Sequence, residues 1–191
     1  MKRIAIFASG SGSNFQSIVD SVKKGQLDAE VALLVCDKPG AFVIERAQNE
    51  NIPSFIFSPR NYEDKAAFER EILKELQARD IDFIVLAGYM RLIGPTLLQA
   101  FSNRIVNIHP SLLPAFPGKD AIGQAFRAGV KVTGVTIHYV DEGMDTGPII
   151  AQRAVDVLDD DSRETLQQRI QACEHELYPL VIQKLLSTVM A

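Results

Sequence analysis

The sequence predicts an α/β fold: a Rossmann-like, mostly parallel sheet with helices on both faces, extended by antiparallel strands in the C-terminal half. Three features carry this expectation. Short, near-continuous apolar runs alternate with amphipathic segments through the first hundred or so residues. That is the pattern of βαβ units whose strands are covered on both faces. A turn of glycines and serines separates the first apolar run from the first amphipathic segment. Near the end, two strand-like runs flank a loop of glycines and acids, and one long amphipathic segment follows.

Residues 3–8 (RIAIFA) read as the first strand. Residues 14–24 follow as a helix, with Phe15, Ile18, Val19 and Val22 three and four apart on one face and Gly25 ending it. Residues 31–36 (VALLVC) form a second strand, 42–49 a short helix and 53–57 a short strand. Residues 64–79 make a helix with Phe68, Ile72 and Leu76 in register, and 83–87 (FIVLA) a fourth strand. A fifth strand is expected over 104–108, and 110–118 is the longest irregular stretch. Residues 132–140 (VTGVTIHYV) and 149–157 have strand composition, and the loop joining them allows antiparallel pairing. The last helix is expected over 162–188. Asp161 and Glu164 have N-cap and N3 spacing there. Leu166, Ile170, Cys173, Leu177 and Leu180 form its apolar seam. No repeat, low-complexity tract or linker interrupts the chain, so residues 1–191 are expected to form a single domain of two coupled halves.

Composition excludes several classes. Apolar residues make up 47% of the chain and charged ones 23%, which rules out disordered, collagen-like and disulfide-scaffold proteins. A domain of this size buries roughly 70% of its unfolded surface and needs no covalent staples. The net charge of −4 counts against a nucleic-acid partner. Cys36 and Cys173 lie in apolar contexts with no CxxC, which suits buried thiols in a reducing cytoplasm. The longest apolar stretch, 83–90, falls far short of the roughly 18 residues of a membrane span. The apolar run after Lys2-Arg3 is too short for a secretory signal. A cytoplasmic protein without membrane attachment is expected. His109, His138 and His175 lack ligand-like spacing, so no metal is expected.

Ser9-Gly10-Ser11-Gly12-Ser13-Asn14 lies between the first strand and the first helix. Glycines permit a tight turn, and the N–H groups at the helix start converge on one point. The helix-end partial positive charge adds to this, making a seat for a phosphate. A dinucleotide loop would need a third glycine where Phe15 stands, and a Walker loop would need Gly-Lys-Ser/Thr. A monophosphate therefore suits the loop better than a pyrophosphate. In a dinucleotide-binding domain Asp37, after the second strand, would be the ribose ligand.

Asn107 and His109 are two apart on a strand and so share a face. Pro110 stops that strand, which puts the pair where open α/β sheets bind ligands. An amide beside an imidazole suits an oxyanion site with an acid/base partner. No nucleophile elbow accompanies it, so direct group transfer is the chemistry suggested. The loop 141–148 offers a carboxylate to pair with His109. Spacing does not choose between Asp141 and Asp145.

These pieces, with residues 86–91 (LAGYMR), 107–114 (NIHPSLLP) and Pro117-Gly118, resemble the folate-dependent formyltransferases in order and over nearly the whole chain. The glycine loop with Ser13-Asn14 is similar to that of the glycinamide ribonucleotide branch. The resemblance implies a formyl transfer from 10-formyltetrahydrofolate, as co-substrate, to the amine of that ribonucleotide. Its phosphate would sit on Gly12, Ser13 and Asn14, with Lys65 nearby and Glu174 at the glycinamide. Met90, Arg91, Leu92 and Ile93 would hold the folate, with Val140, Asp141, Glu142 and Gly143 around its pterin. Asn107, His109 and Asp145 would be the catalytic group. Residues up to about 100 would bind the ribonucleotide, and 101–191 would supply catalysis and folate binding. Small-molecule partners, a monomer or homodimer, and no room for the extra domains of relatives acting on tRNA are further implications. The segment 110–129 is expected to order on folate binding.

Overall fold

The computed structural model describes residues 1–188. Its elements run β1 (Lys2–Phe7), α1 (Ser13–Lys23), β2 (Ala29–Cys36), α2 (Phe42–Asn49), β3 (Ser54–Ile56), α3 (Lys65–Ala78), β4 (Phe83–Leu86), α4 (Pro95–Ala100), β5 (Ile105–His109), α5 (Ala121–Ala128), β6 (Val132–Tyr139), β7 (Ile149–Asp156) and α6 (Arg163–Thr188). The seven strands form one sheet in the order β3-β2-β1-β4-β5-β6-β7. β1 to β5 pair in parallel, and β5–β6 and β6–β7 pair antiparallel. This is the predicted architecture.

Strand alternation explains the layers. Ile4 and Ile6 face one core with Phe15 and Ile18 of α1, Val43 of α2, and Ile170 and Ile182 of α6. Ala5 and Phe7 face a second core with Phe68, Ile72 and Leu76 of α3 and Leu97 of α4. Both faces of the central strands are thus dry, which is why those strands read as unbroken apolar runs. Tyr178 of α6 is fully buried and donates its hydroxyl hydrogen toward the carbonyls of Leu86 and Val106, at 2.8 and 3.2 Å. It ties the long helix to the ends of β4 and β5.

Four details differ from expectation. α4 is an extra helix, started by Pro95 at a position whose N–H has no helical partner. α5 lies inside the segment 110–129, so that stretch is irregular in its first part alone; the Asp120 carboxylate caps α5 by accepting from the Gly123 N–H at 3.3 Å. α6 is capped by Ser162 and not by Asp161. The Ser162 hydroxyl accepts from the Thr165 N–H at 3.2 Å, and the Thr165 hydroxyl accepts from the Ser162 N–H at 2.9 Å. Asp161 is held instead by Arg169 at 2.6 Å, which pulls its carboxyl well below the usual range. Finally, Leu180 is 58% exposed, and the seam continues through Val181 and Ile182. The buried stripe steps by four from Leu177, keeping the seam under the sheet.

Candidate active site

A cavity of about 690 Å³ opens at the carboxyl ends of β1, β4 and β5. Chain progression reverses there: β1 leads to β2 on one side and has β4 on the other. Open α/β sheets bind ligands in that crevice. The glycine loop, the segment 86–93, the end of β5, the start of α5, the acidic loop and one face of α6 supply its walls.

At one end, Gly12 takes a left-handed φ of 75° just before α1. A Cβ on Gly12 would stand 2.5 Å from Val43 Cγ2, so glycine is required by both backbone and neighbour. The N–H groups of Ser13, Asn14 and Phe15 find no acceptor among the described residues. They point a helix N-terminus at the cavity, as an anion seat needs. Asn14 Nδ2 donates to Glu174 Oε2 at 3.3 Å. Glu174, from α6, is buried, and burial pushes its carboxyl up to about 7 against the pull of that one hydrogen bond. Asn14 Oδ1 is buried without a partner.

In the middle, antiparallel pairing sets Asn107 opposite His138 and His109 opposite Thr136. His138 Nδ1 lies 2.8 Å from the Tyr139 carbonyl and so donates to it. That leaves its Nε2 to accept from Asn107 Nδ2 at 3.3 Å, which fixes the amide's orientation. His109 Nε2 lies 2.9 Å from the Phe116 carbonyl, and its Nδ1 lies 3.5 Å from Asp145 Oδ2. Both ring nitrogens of His109 face oxygens that accept. Asp145 has a left-handed φ of 57°, which turns its carboxylate inward to 11% exposure. The Gly118 N–H donates to its Oδ2 at 2.8 Å, and its Oδ1 lies 3.8 Å from His138 Nε2. Asp141, by contrast, is spent on its own turn, accepting from the Gly143 N–H at 3.0 Å and the Thr146 hydroxyl at 2.7 Å. Of the two carboxylates that spacing left open, it is Asp145 that faces His109. His138 escaped the sequence reading. The strand register that sets it opposite Asn107 was the available clue.

Met90, Arg91, Leu92 and Ile93 line the same cavity, together with Val140, Gly143, Met144 and Asp145. Met90, Leu92 and Met144 are exposed apolar side chains, as a cleft for an aromatic ligand would present. Three predicted residues do not join the wall. Asp141 and Glu142 are exposed and lie outside it, because the turn directs Asp145 inward in their place. Lys65 is also absent from the lining. Its stem lies with the Glu69 carboxylate beside Gly94. The dinucleotide alternative fails on geometry. Asp37 is buried with one oxygen on Ser9 and the other on Arg91, and Phe15 fills the place of the third glycine. Among the described residues no group of three or more His, Cys, Asp or Glu side chains could hold a metal ion. No described helix is long and apolar enough to cross a membrane.

The sequence profile of the formyl transferase family matches residues 2–182. The chain is 63% identical over 186 residues to the phosphoribosylglycinamide formyltransferase of Bacillus subtilis, covering 97% of this chain and 95% of that protein. It is similar to the crystal structure of glycinamide ribonucleotide transformylase 1 from Geobacillus kaustophilus, with a TM-score of 0.94, 69% identity and 97% and 98% of the two chains covered. The phosphoribosylglycinamide formyltransferase structure from Bacillus halodurans gives a TM-score of 0.95 and 63% identity, covering 98% and 97%. An anion seat, an amide–imidazole–carboxylate group and an apolar cleft in one cavity agree with a match over nearly the whole length, and the chain belongs to the formyl transferase family.

Proposed function

We propose that the chain transfers a formyl group from 10-formyltetrahydrofolate to the amine of glycinamide ribonucleotide. The observation that carries this reading is that four kinds of group line one cavity. They are the helix α1 N-terminus, the Glu174 carboxyl, the group of Asn107, His109 and Asp145, and the apolar wall of residues 90–93. A ribonucleotide phosphate on Gly12, Ser13 and Asn14 places its glycinamide end toward Glu174. A folate against the opposite wall brings its formyl carbon to the amide and imidazole. The relatives named above act on the same ribonucleotide by their names.

The reaction needs no acyl-enzyme. The neutral amine attacks the formyl carbon, and the carbonyl electrons move onto oxygen. Asn107 Nδ2 and the imidazolium form of His109 stabilise that oxyanion, and Asp145 holds His109 in place. The amine then loses a proton, the folate N10 gains one, and the carbon–N10 bond breaks as the carbonyl reforms. The products are formylglycinamide ribonucleotide and tetrahydrofolate. Asp145 serves the proton transfer through water. Holding both substrates in one cavity supplies proximity, worth up to about 7–11 kcal/mol.

The test supplies 10-formyltetrahydrofolate with either glycinamide ribonucleotide or charged initiator tRNA and follows formyl transfer. Transfer to the ribonucleotide is expected. Transfer to the tRNA alone, or to neither, overturns the reading.

A further inference from the structure

Asp37 closes the end of β2, outside the cavity wall, yet it holds two parts of that wall. Its side chain is 6% exposed. Its Oδ1 accepts from the Ser9 hydroxyl at 2.5 Å, and its Oδ2 pairs with Arg91 Nε at 2.7 Å. The Ser9 oxygen in turn accepts from the Met90 N–H at 2.9 Å, and the Ser9 N–H donates to the Gly88 carbonyl at 3.1 Å. One buried carboxylate thus fixes the guanidinium of Arg91 and, through Ser9, the backbone just before it. β1, β2 and the turn after β4 are joined in a single ring of polar contacts.

The pairing uses the Nε edge of the guanidinium. Among the described residues no other hydrogen-bond partner of Arg91 is found. Its two Nη groups therefore remain to bind an anion end-on, and 40% of the side chain is exposed. A buried charge of this kind is costly unless it is paired, so Asp37 and Arg91 constrain each other. The reach of the ring is the segment 88–91, which lines the cavity.

We propose that Asp37 is a positioning residue for the formyl donor: with Ser9 it sets Arg91 so that its Nη edge receives the carboxylates of the folate glutamate tail. This rests on the reading that the wall of residues 90–93 holds the donor. Asp37 acts through Arg91 and the turn before it, touches no reacting atom, and governs donor affinity and not the chemical step.

The test is Asp37→Asn, which keeps the shape and the bond to Ser9 but removes the charge that orients Arg91. Two donors are compared: 10-formyltetrahydrofolate and 10-formyltetrahydropteroate, which lacks the glutamate. With the first, KM for the donor should rise about ten-fold, the scale of one charge-assisted contact. Its kcat and the KM for glycinamide ribonucleotide should stay within about two-fold. With the second donor, Asp37→Asn should change nothing. In an Arg91→Ala background the same substitution should add no further loss. Equal effects on both donors, no effect on either, or a full additional loss without Arg91 would each overturn the proposal. If Asp37→Asn fails to fold, Ser9→Ala frees Asp37 while keeping both charges and should show a smaller loss confined to the glutamate-bearing donor; a loss shared by both donors refutes the proposal. Absence of transfer from either donor by the unaltered protein would instead remove the functional reading beneath it, a distinct outcome.

Discussion

Glu174→Gln separates what the site costs the fold from what it does for the substrate. Glu174 is buried with a single hydrogen bond from Asn14, and burial raises its carboxyl to about 7 from an ordinary 4.5. The folded state therefore keeps a proton that the unfolded chain releases. Stability from this group is full below about pH 4.5, falls as pH rises, and levels off above about pH 7. Linkage puts the loss between pH 5 and pH 8 at about 2–3 kcal/mol. Glutamine cannot ionise, so the variant escapes the loss, while all other titrations cancel between the two proteins. Urea unfolding at pH 5 and pH 8 measures it. The stability of Glu174→Gln relative to wild type should rise by about 2–3 kcal/mol across that range. KM for glycinamide ribonucleotide should rise as well, since the proposed contact of Glu174 with the glycinamide end is lost. A relative stability that stays flat with pH would refute the burial argument. A KM that stays flat would refute the assigned contact.

Asn107→Ala, His109→Ala and Asp145→Ala should each lower kcat by at least about 10²–10³ while substrate affinity is largely kept. His109→Ala within a few-fold of wild type in steady-state assays would sink the mechanism. Gly12→Ala forces a left-handed alanine into Val43 and should cost at least about 2 kcal/mol in denaturant unfolding, with weakened ribonucleotide binding; unchanged stability would mean that the loop takes another path. Tyr178→Phe leaves the Leu86 and Val106 carbonyls without its hydroxyl and should cost about 1–2 kcal/mol by urea unfolding. No loss there would show that backbone pairing alone satisfies those groups.

Elements with a strong periodic pattern were legible in the sequence, and short ones were not. β1, β2 and β4 are buried on both faces, so burial left an unbroken apolar run in each. α4 spans Pro95–Ala100 and buries Leu97 alone, so it has too few turns to show a period. α5 follows a proline- and glycine-bearing stretch and carries Gly123 within it. Composition there argues for a loop. Its cap depends on Asp120 at a left-handed φ of 54°, which is a property of the folded backbone. At the start of α6, Asp161 and Ser162 both have capping chemistry, and Arg169 decides between them by claiming Asp161.

The site divides along the same line. Asn107 and His109 could be paired from sequence because a strand enforces its period of two whatever its neighbours do. Choosing Asp145 over Asp141 required a turn geometry, in which the Thr146 hydroxyl and the Gly143 N–H bind Asp141 and a left-handed residue carries Asp145 inward. His138 required a register between two strands, β5 and β6, that are separated in the chain by the 22 residues 110–131. The position of Lys65 depends on long-range packing in the same way. Its residue type suits an anion, but α3 sets its stem beside Gly94, outside the cavity lining. Local periodicity thus places residues on faces, and long-range pairing decides which faces meet. Asp37 shows the consequence: a carboxylate that reads as a ligand at the end of a strand is committed, once β4 lies two strands away, to holding Arg91.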